Sequence, residues 1–462
     1  MKFSFKKNKN QTFKNISGWG KTKFVDVQIL FPNTVQEIQD LIISSQPNSI
    51  IARGKGRSYG DAAQIKKGKV LKLNNLKEIS PNFEKNEVTA QAGVTFEEIL
   101  QVIIPKGFFL PVTPGTKKIT LGGAIAADVH GKNHHQDGSF GNYIKQIRII
   151  NGRGEKITLH PNAQNASPTN EQFWSTIGAM GLTGIIIDAT FSIIPIETSF
   201  IKEETKRYRN IDNLMKDMIK MDKEYKYSVA WIDSMNCDFR GVLTSGNHAT
   251  KQEIKSIKDI KTLSFKRKQF TSIPKLIQIN LMNKFIIKLF NELWFRKAPK
   301  ARTRKIVSID HFFYPLDAIN NWNNIYGNNG FIQYQIVVPE KHSLMIKKIL
   351  SKLKQIDALS FLPVLKRLGN SNQSYLSFPM PGWTLAIDLP HESKKVEEVL
   401  KELDEEIAEV GGRIYLAKDS RQSEIMFKKT YKSLDLWKKQ KQILDPNNIF
   451  NSDLSKRLKL CN

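Results

Sequence analysis

Three stretches of small residues constrain this chain more than any other feature. The first is Ala52-Arg53-Gly54-Lys55-Gly56-Arg57-Ser58-Tyr59-Gly60-Asp61-Ala62-Ala63, and it follows the short apolar run Ser49-Ile50-Ile51. A strand therefore delivers the chain into a turn with glycines at alternate positions. Successive backbone N–H groups can there point into one concavity and hold phosphate oxygens, and glycine suits a main chain that a pyrophosphate approaches closely. No Gly-Lys-Ser/Thr closes the stretch as a P-loop, and the acidic residue of the Rossmann fingerprint is missing. Alone, such a loop is a turn as often as a nucleotide site. The second stretch runs from Pro114 to His135, with small residues at nearly every position from Gly122 to Ala127. The third is Gly178-Ala179-Met180-Gly181-Leu182-Thr183-Gly184. Packing is a poor explanation for all three in one domain. One large, flat, phosphate-bearing ligand explains them together.

The length of 462 residues exceeds what one hydrophobic core covers, so two domains are expected. Hydrophobic residues at 40% and charged residues at 25% mark a globular chain rather than a disordered one. No apolar run is long enough to cross a bilayer. The start, MKFSFKKNKNQTFKN, is basic but has no apolar segment behind it, so it does not read as a signal peptide. Cys237 and Cys461 lie far apart and offer neither a disulfide framework nor a zinc spacing, which fits a reducing compartment. The expected location is the cytoplasm, with a peripheral seat at the inner membrane or a periplasmic location as alternatives.

The net charge of +27 is unevenly spread. From Lys251 to Lys305 there are sixteen Lys/Arg against three Asp/Glu, a net of +13, with apolar residues interleaved as in IPKLIQINLMNKFIIKLFNELWF. Such a stretch suits an anionic membrane surface or an anionic lipid substrate, and a Lys-rich solvated surface fits equally well. No zinc-finger or RNP-like signature supports nucleic acid as a partner.

Short β-rich runs alternate with brief helical patterns over residues 26–200. Val70–Leu73, Val88–Ala92 and Gly184–Ile194 read as strands, and Thr95 with Glu98 forms a capping box for a helix over Phe96–Ile104. Ile144–Ile150 and Lys156–Leu159 form a hairpin around Gly152 and Gly154. Farther on, Tyr225–Ile232 and Phe331–Val338 read as strands of an open antiparallel sheet. Val396–Val410 is an amphipathic helix stopped by Gly411-Gly412. Arg413–Ala417 reads as a strand and Glu424–Leu444 as one helix. The expected fold is α+β with two domains: residues 1–195 for the cofactor, 196–410 for the substrate, and a segment 411–462 returning to the first.

The Arg-Gly-x-Gly-x-Ser loop, the Gly-Gly-Ala-Ile-Ala-Ala stretch and the Gly-Leu-x-Gly strand entry together resemble the PCMH-type FAD-binding domain of the vanillyl-alcohol-oxidase superfamily. Within it the chain resembles the decaprenylphosphoryl-β-D-ribose 2-oxidase family, the flavin half of a two-enzyme epimerase. The matches are residues 56–63, 127–135, 292–297 (ELWFRK), 313–317 (FYPLD), 333–335 (QYQ), 377–383 (SFPMPGW) and 415–421 (YLAKDSR). They span most of residues 50–460 and are weakest around 196–260.

The resemblance implies FAD bound by Arg53, Gly54, Lys55, Gly56, Arg57, Ser58, Tyr59, Gly60 and Asp61. It adds Gly115, Thr116, Thr120, Gly122, Gly123, Ala124, Ala127, Asp128, His130, Gly131 and Asn133 from the second stretch. Gly181, Gly184, Ile186, Tyr415 and Lys418 complete the cofactor set. Many superfamily members tether the flavin through a histidine at the position of Arg57, and some add a cysteine in the second loop. Neither residue is present, so the implied attachment is non-covalent. The substrate residues it implies are Lys132, Tyr314, Gln333, Gln335, Lys366 and Ala386, the last standing where family members carry a cysteine.

Lys418 is the implied catalytic residue, with Tyr59 and His130 as orienting donors. Removing hydride from a carbinol carbon leaves negative charge on the flavin and a hydroxyl proton to dispose of, and a nearby cation stabilises both changes. Without the resemblance, an ion pair between Lys418 and Asp419 is the simpler reading. His130, His134 and His135 match no H-E-x-x-H spacing, so no metal is expected. The implied substrate is a lipid-linked sugar oxidised at a ring hydroxyl, with an NAD(P)H-dependent reductase as partner. A small soluble aldonolactone or sugar alcohol is the alternative substrate. The basic stretch at about 261–305 is expected to act as a lid beside the site, with Ile277, Ile279, Leu281, Phe285, Ile286 and Leu289 apolar among Lys275, Lys284 and Lys288.

Overall fold

The computed structural model describes residues 11–162, 170–255, 257, 261–265, 271–272, 283–327, 329–358, 360, 362–391 and 393–461. The architecture is α+β, as the sequence predicts. Val25–Leu30, Lys69–Leu71 and Ile50–Ala52 are short buried runs that pair in parallel, with Gln11–Ile16 antiparallel on the outer edge. Beside them lies a five-stranded antiparallel sheet ordered Ile79–Asn82, Glu87–Gln91, Ile185–Ser192, Ile144–Ile150, Lys156–Leu159. The expected capping box forms: Thr95 accepts from Glu98 N, and the Glu98 carboxylate accepts from Thr95 N at 2.7 Å. It fixes the start of Phe96–Ile103, whose Phe96, Ile99, Leu100 and Ile103 are buried.

The second half is built on eight antiparallel strands, ordered Thr303–Ser308, Phe200–Tyr208, Gly241–His248, Tyr227–Ile232, Val364–Leu368, Gly382–Pro390, Phe331–Val338, Arg413–Ile414. Strand alternation gives this sheet two faces. Tyr334, Ile336, Val338, Leu365, Leu385 and Ile387 join one core with Leu214, Met218, Ile346, Ile349, Leu400 and Leu403. The latter come from helices Ile211–Glu224, Leu344–Gln355 and Lys394–Glu409. The opposite face turns toward the glycine-rich half.

The C-terminal segment crosses back. Phe450 bridges to Ile50, and the carbonyls of Asn448 and Ile449 accept from Asn48 N and Ser49 N. Arg457 holds Asp61 at 2.8 Å and Asp419 at 3.0 Å.

Two expected elements differ. The strand expected over 413–417 stops at Ile414, because the chain turns over so that Lys418 N donates to Tyr415 O. The helix expected over 424–444 is two helices, Glu424–Thr430 and Leu434–Leu444. Tyr431 and Trp437 are both buried. Six residues apart, they would sit about 120° apart around a straight helix. The break lets the Tyr431 hydroxyl reach Ile414 O at 2.7 Å while the Trp437 indole donates to Ser175 O at 3.0 Å. In the basic stretch, helix Lys284–Lys297 carries Phe285, Ile286 and Leu289. Lys275, Ile277, Ile279 and Leu281 lie outside the described residues.

Candidate active site

The glycine-rich loops and the polar face of the eight-stranded sheet enclose a cleft of about 340 Å³. One wall is Arg53 to Tyr59, with Gly115, Thr116, Thr120, Gly122, Gly123 and Ala127 behind it and Gly181, Gly184 and Ile186 completing it. The facing wall is Gln333, Gln335, Val364, Lys366 and Ala386, while His130, Tyr415 and Lys418 lie between.

The first loop has its form because alternatives clash. A Cβ on Gly54 would lie 2.2 Å from Thr120 Oγ1, and Gly56 has φ +64° with the Arg53 guanidinium against it. Arg53 itself spans the loop, donating to Ala63 O at 2.9 Å and Ser17 O at 2.6 Å. Among the described residues, the backbone N–H groups of Gly54, Lys55, Gly56, Arg57 and Ser58 have no acceptor in the chain. Five such donors in succession at a cleft wall form a cradle for an anion. A Cβ on Gly115 would meet nothing within 4 Å, so that loop leaves space on the cleft side. These residues fit the pyrophosphate and flat ring system of FAD.

The sheet wall is electrostatically unusual. The ammonium groups of Lys366 and Lys418 donate no hydrogen bond to, and form no ion pair with, the described residues. Burial lowers Lys366 to about 8. Burial also lowers Lys418 to about 7, with Asp388 pulling it up and Lys366 pushing it down. The Lys418 ammonium lies 3.8 Å from the centre of the Tyr59 ring. The simpler ion pair with Asp419 is not what holds Lys418. Asp419 accepts from Arg457 and from the backbone N–H groups of Arg421 and Gln422.

Asp388 was not legible as a site residue, although an acid inside Trp383-Thr384-Leu385-Ala386-Ile387-Asp388 is the kind of signal that marks one. It is 1% exposed and accepts from Tyr326 Oη at 2.8 Å and Gln333 Nε2 at 2.7 Å. Burial raises its carboxyl to about 6 against those hydrogen bonds and the pull of Lys418. His130 is pushed well below its ordinary value by burial and then by Lys366, His134 and Lys418, so it is neutral near pH 7. Its Nε2 lies 3.1 Å from Gln335 Nε2, and its Nδ1 has no protein partner among the described residues.

Other expected residues lie behind the wall. Asp61 is paired with Arg457, and a Cβ on Gly60 would strike Asp419 O. Ala124 is fully buried in the short helix Leu121–Ala126. Asp128 accepts from Gly141 N, Asn372 and Ser377. Gly131 packs on Thr113, and Asn133 donates to Pro111 O and Asp137. The Lys132 ammonium donates to Phe312 O and lies 4.2 Å from that ring. The Tyr314 hydroxyl meets Thr113 at 2.8 Å. The three histidines serve separate partners: His134 meets Ser139 and Gly369 N, and His135 meets Tyr225 O.

Trp19 and Asp317 also line the cleft, unforeseen. Trp19 stacks under the Arg57 guanidinium at 3.7 Å, and Trp19 N donates to Ser58 O. Its signal was Gly18-Trp19-Gly20: a Cβ on Gly18 would strike Gly60 O, and one on Gly20 would strike Phe331 O. Asp317 accepts from Thr116 Oγ1 at 2.7 Å and Lys117 N at 2.8 Å, tying the second loop to the half built on the eight-stranded sheet.

Residues 28–160 match the family of FAD binding domains. Across 457 residues the chain is 35% identical to the decaprenylphosphoryl-beta-D-ribose oxidase of Mycolicibacterium smegmatis, covering 97% of this chain and 98% of that one. The chain belongs to the decaprenylphosphoryl-β-D-ribose oxidase family. It is an FAD-dependent oxidoreductase. It is also 28% identical over 378 residues to an uncharacterized Streptomyces coelicolor protein, covering 79% of this chain and all of that one. A putative D-arabinono-1,4-lactone oxidase of Neurospora crassa matches 36% of this chain and 29% of its own length at 25% identity. Among the described residues, no helix is long and apolar enough to cross a membrane.

Proposed function

We propose that the cleft oxidises a ring hydroxyl of a polyprenyl-phosphoryl sugar, as the 2-oxidase half of a pair completed by an NAD(P)H-dependent reductase. The observation that carries this reading is the pair of ammonium groups, Lys366 on the sheet wall and Lys418 over the Tyr59 ring, which have no hydrogen bond or ion pair among the described residues. The substrate class comes from the relative matched along almost its whole length. FAD, when bound, supplies a hydride acceptor at N5 of its ring system.

The chain's own residues provide the rest. Gly54 to Ser58 hold the pyrophosphate through backbone N–H groups. Lys418 Nζ, held near neutrality, takes the substrate hydroxyl proton as the carbon is oxidised. Lys366 keeps its charge near pH 7 and stabilises the developing oxyanion. Gln333 and Gln335 orient neighbouring hydroxyls, and neutral His130 holds Gln335 in place. Residues 1–195 and 411–462 serve the cofactor, with Lys418 reaching the substrate as well, and 196–410 serve the substrate. The flavin is held without a covalent bond because Arg57 stands at the tethering position. Acid or heat precipitation should therefore release all FAD to the supernatant, and yellow remaining in the pellet overturns that part. A lipid-linked substrate places the work at a membrane surface, cytoplasmic or periplasmic.

The test is anaerobic mixing of the FAD-loaded protein with prenyl-phosphoryl pentoses, aldonolactones and alditols in detergent. The reading expects the lipid-linked pentoses to bleach the flavin. Bleaching by an aldonolactone or alditol alone overturns it in favour of a small soluble substrate.

A further inference from the structure

Helix Lys284–Lys297 is apolar over more of its circumference than it buries. Ile287, Asn291 and Phe295 face inward at four-residue spacing. Phe295 packs with Trp231, Val242 and Ala298, and the Arg240 guanidinium lies 4.3 Å from its ring. On the outer arc Phe285, Ile286, Leu289, Phe290, Leu293 and Trp294 are between 37% and 73% exposed. At about 100° per residue, these positions cover about half the circumference. A contiguous apolar arc of this size marks an interaction surface.

The charges around the arc narrow the choice of partner. Its one acid, Glu292, is already held by Arg240 at 2.6 Å and by Arg296. Lys288 and Lys297 have no carboxylate partner among the described residues. Two-fold contact with a second copy would set lysines against lysines on a chain of net charge +27. The complement this arc lacks is an apolar layer bordered by negative charge.

The helix also stands beside the cleft. Trp231, against which Phe295 packs, is the cross-strand partner of Val364, and Val364 lines the cleft wall.

We propose that the outer arc of Lys284–Lys297 seats the enzyme on an anionic lipid bilayer. Phe285, Leu289, Leu293 and Trp294 enter the headgroup boundary, and Lys288 and Lys297 meet lipid phosphates. The seat brings the cleft mouth to the level at which a membrane-held prenyl chain presents its phosphate and sugar. That purpose rests on the proposed substrate, whereas the seat itself does not.

The test is flotation of the FAD-loaded full chain with phosphatidylcholine vesicles, with and without phosphatidylglycerol. Partitioning should be about tenfold or more stronger with phosphatidylglycerol, and should fall when salt is raised to about 0.5 M. The variant L289S/L293S/W294S should lose about tenfold or more with flavin content and melting temperature unchanged, and K288E/K297E should lose a similar factor. Equal partitioning of parent and both variants overturns the proposal. So does a stable dimer in light scattering that L289S/L293S/W294S dissolves, since that assigns the arc to a second copy. The vesicles carry no substrate and the bleaching panel contains no vesicles, so the two readings fail independently.

Discussion

On strand Gly382–Pro390, Trp383, Leu385, Ile387 and Leu389 pack under three helices, while Thr384, Ala386 and Asp388 alternate with them toward the cleft. Apart from the half-buried Ala386 the two sets are equally dry: Leu385 is 0% exposed, Thr384 and Asp388 each 1%. Burial therefore does not separate the fold-holding face from the chemical one; polarity does. A buried polar group is costly unless its hydrogen bonds are made. On the cleft face they are made between neighbouring strands, Asp388 with its register partner Gln333 and Thr384 with Gln335 at 3.3 Å. Lys366 on that face has no hydrogen-bond or ion-pair partner among the described residues.

The largest effect belongs to the cleft face. Lys418→Ala should keep its FAD, since the variant leaves the backbone N–H cradle of Gly54 to Ser58 untouched. Anaerobic flavin reduction in stopped flow should fall about a hundredfold or more. A normal rate in this variant removes Lys418 from the chemistry and with it the functional side of the contrast.

Stability should show the opposite pattern. Leu385→Ala on the helix face should cost about 3 kcal/mol in denaturant unfolding by opening a cavity in a closed core. Thr384→Val, one residue away on the cleft face, should cost about 1 kcal/mol, the value of one lost hydrogen bond. If the order reverses, the polar face carries the fold.

pH dependence sharpens the comparison further. The Asp388 carboxyl is raised to about 6, so its contribution to stability is full below the ordinary carboxylate range and is lost as pH rises through about 6. Lys418 is lowered to about 7, so its contribution is full above the ordinary lysine value and is lost as pH falls through about 7. Asp388→Asn removes the first effect, so melting curves should favour the variant increasingly from pH 4 to pH 7. It also removes the charge that pulls Lys418 up, so the midpoint of the flavin-reduction rate should move to lower pH. A midpoint that stays in place uncouples the two groups.

Ala386→Cys should be the mildest change, with flavin reduction within about threefold of the parent. The new thiol should react with a maleimide, and substrate should slow that reaction. A thiol inert in the native protein would turn this strand's register away from the cleft.

Much of this molecule follows from signals only a few residues long. The capping box at Thr95 and Glu98, the stop at Gly411, whose φ is +78°, and the glycines that let the first loop run against Thr120 are of this kind. The alternation Gln333-Tyr334-Gln335 is another, because its two faces are written in adjacent residues. Each of these is decided within about one helical turn or two strand residues, so reading along the chain suffices.

The tertiary structure alone decided what depends on distant partners. Asp61 belongs to Arg457 and Lys132 to Phe312, which draws both behind the wall. Trp19 reaches the cleft because two glycines allow it to lie along a loop forty residues later. Asp388 becomes a site residue only when Tyr326 and Gln333 close over it and Lys418 arrives from another turn. Local patterns specify backbone shape. The protonation and exposure of a side chain depend on which charges and how much water surround it, and the completed packing settles both.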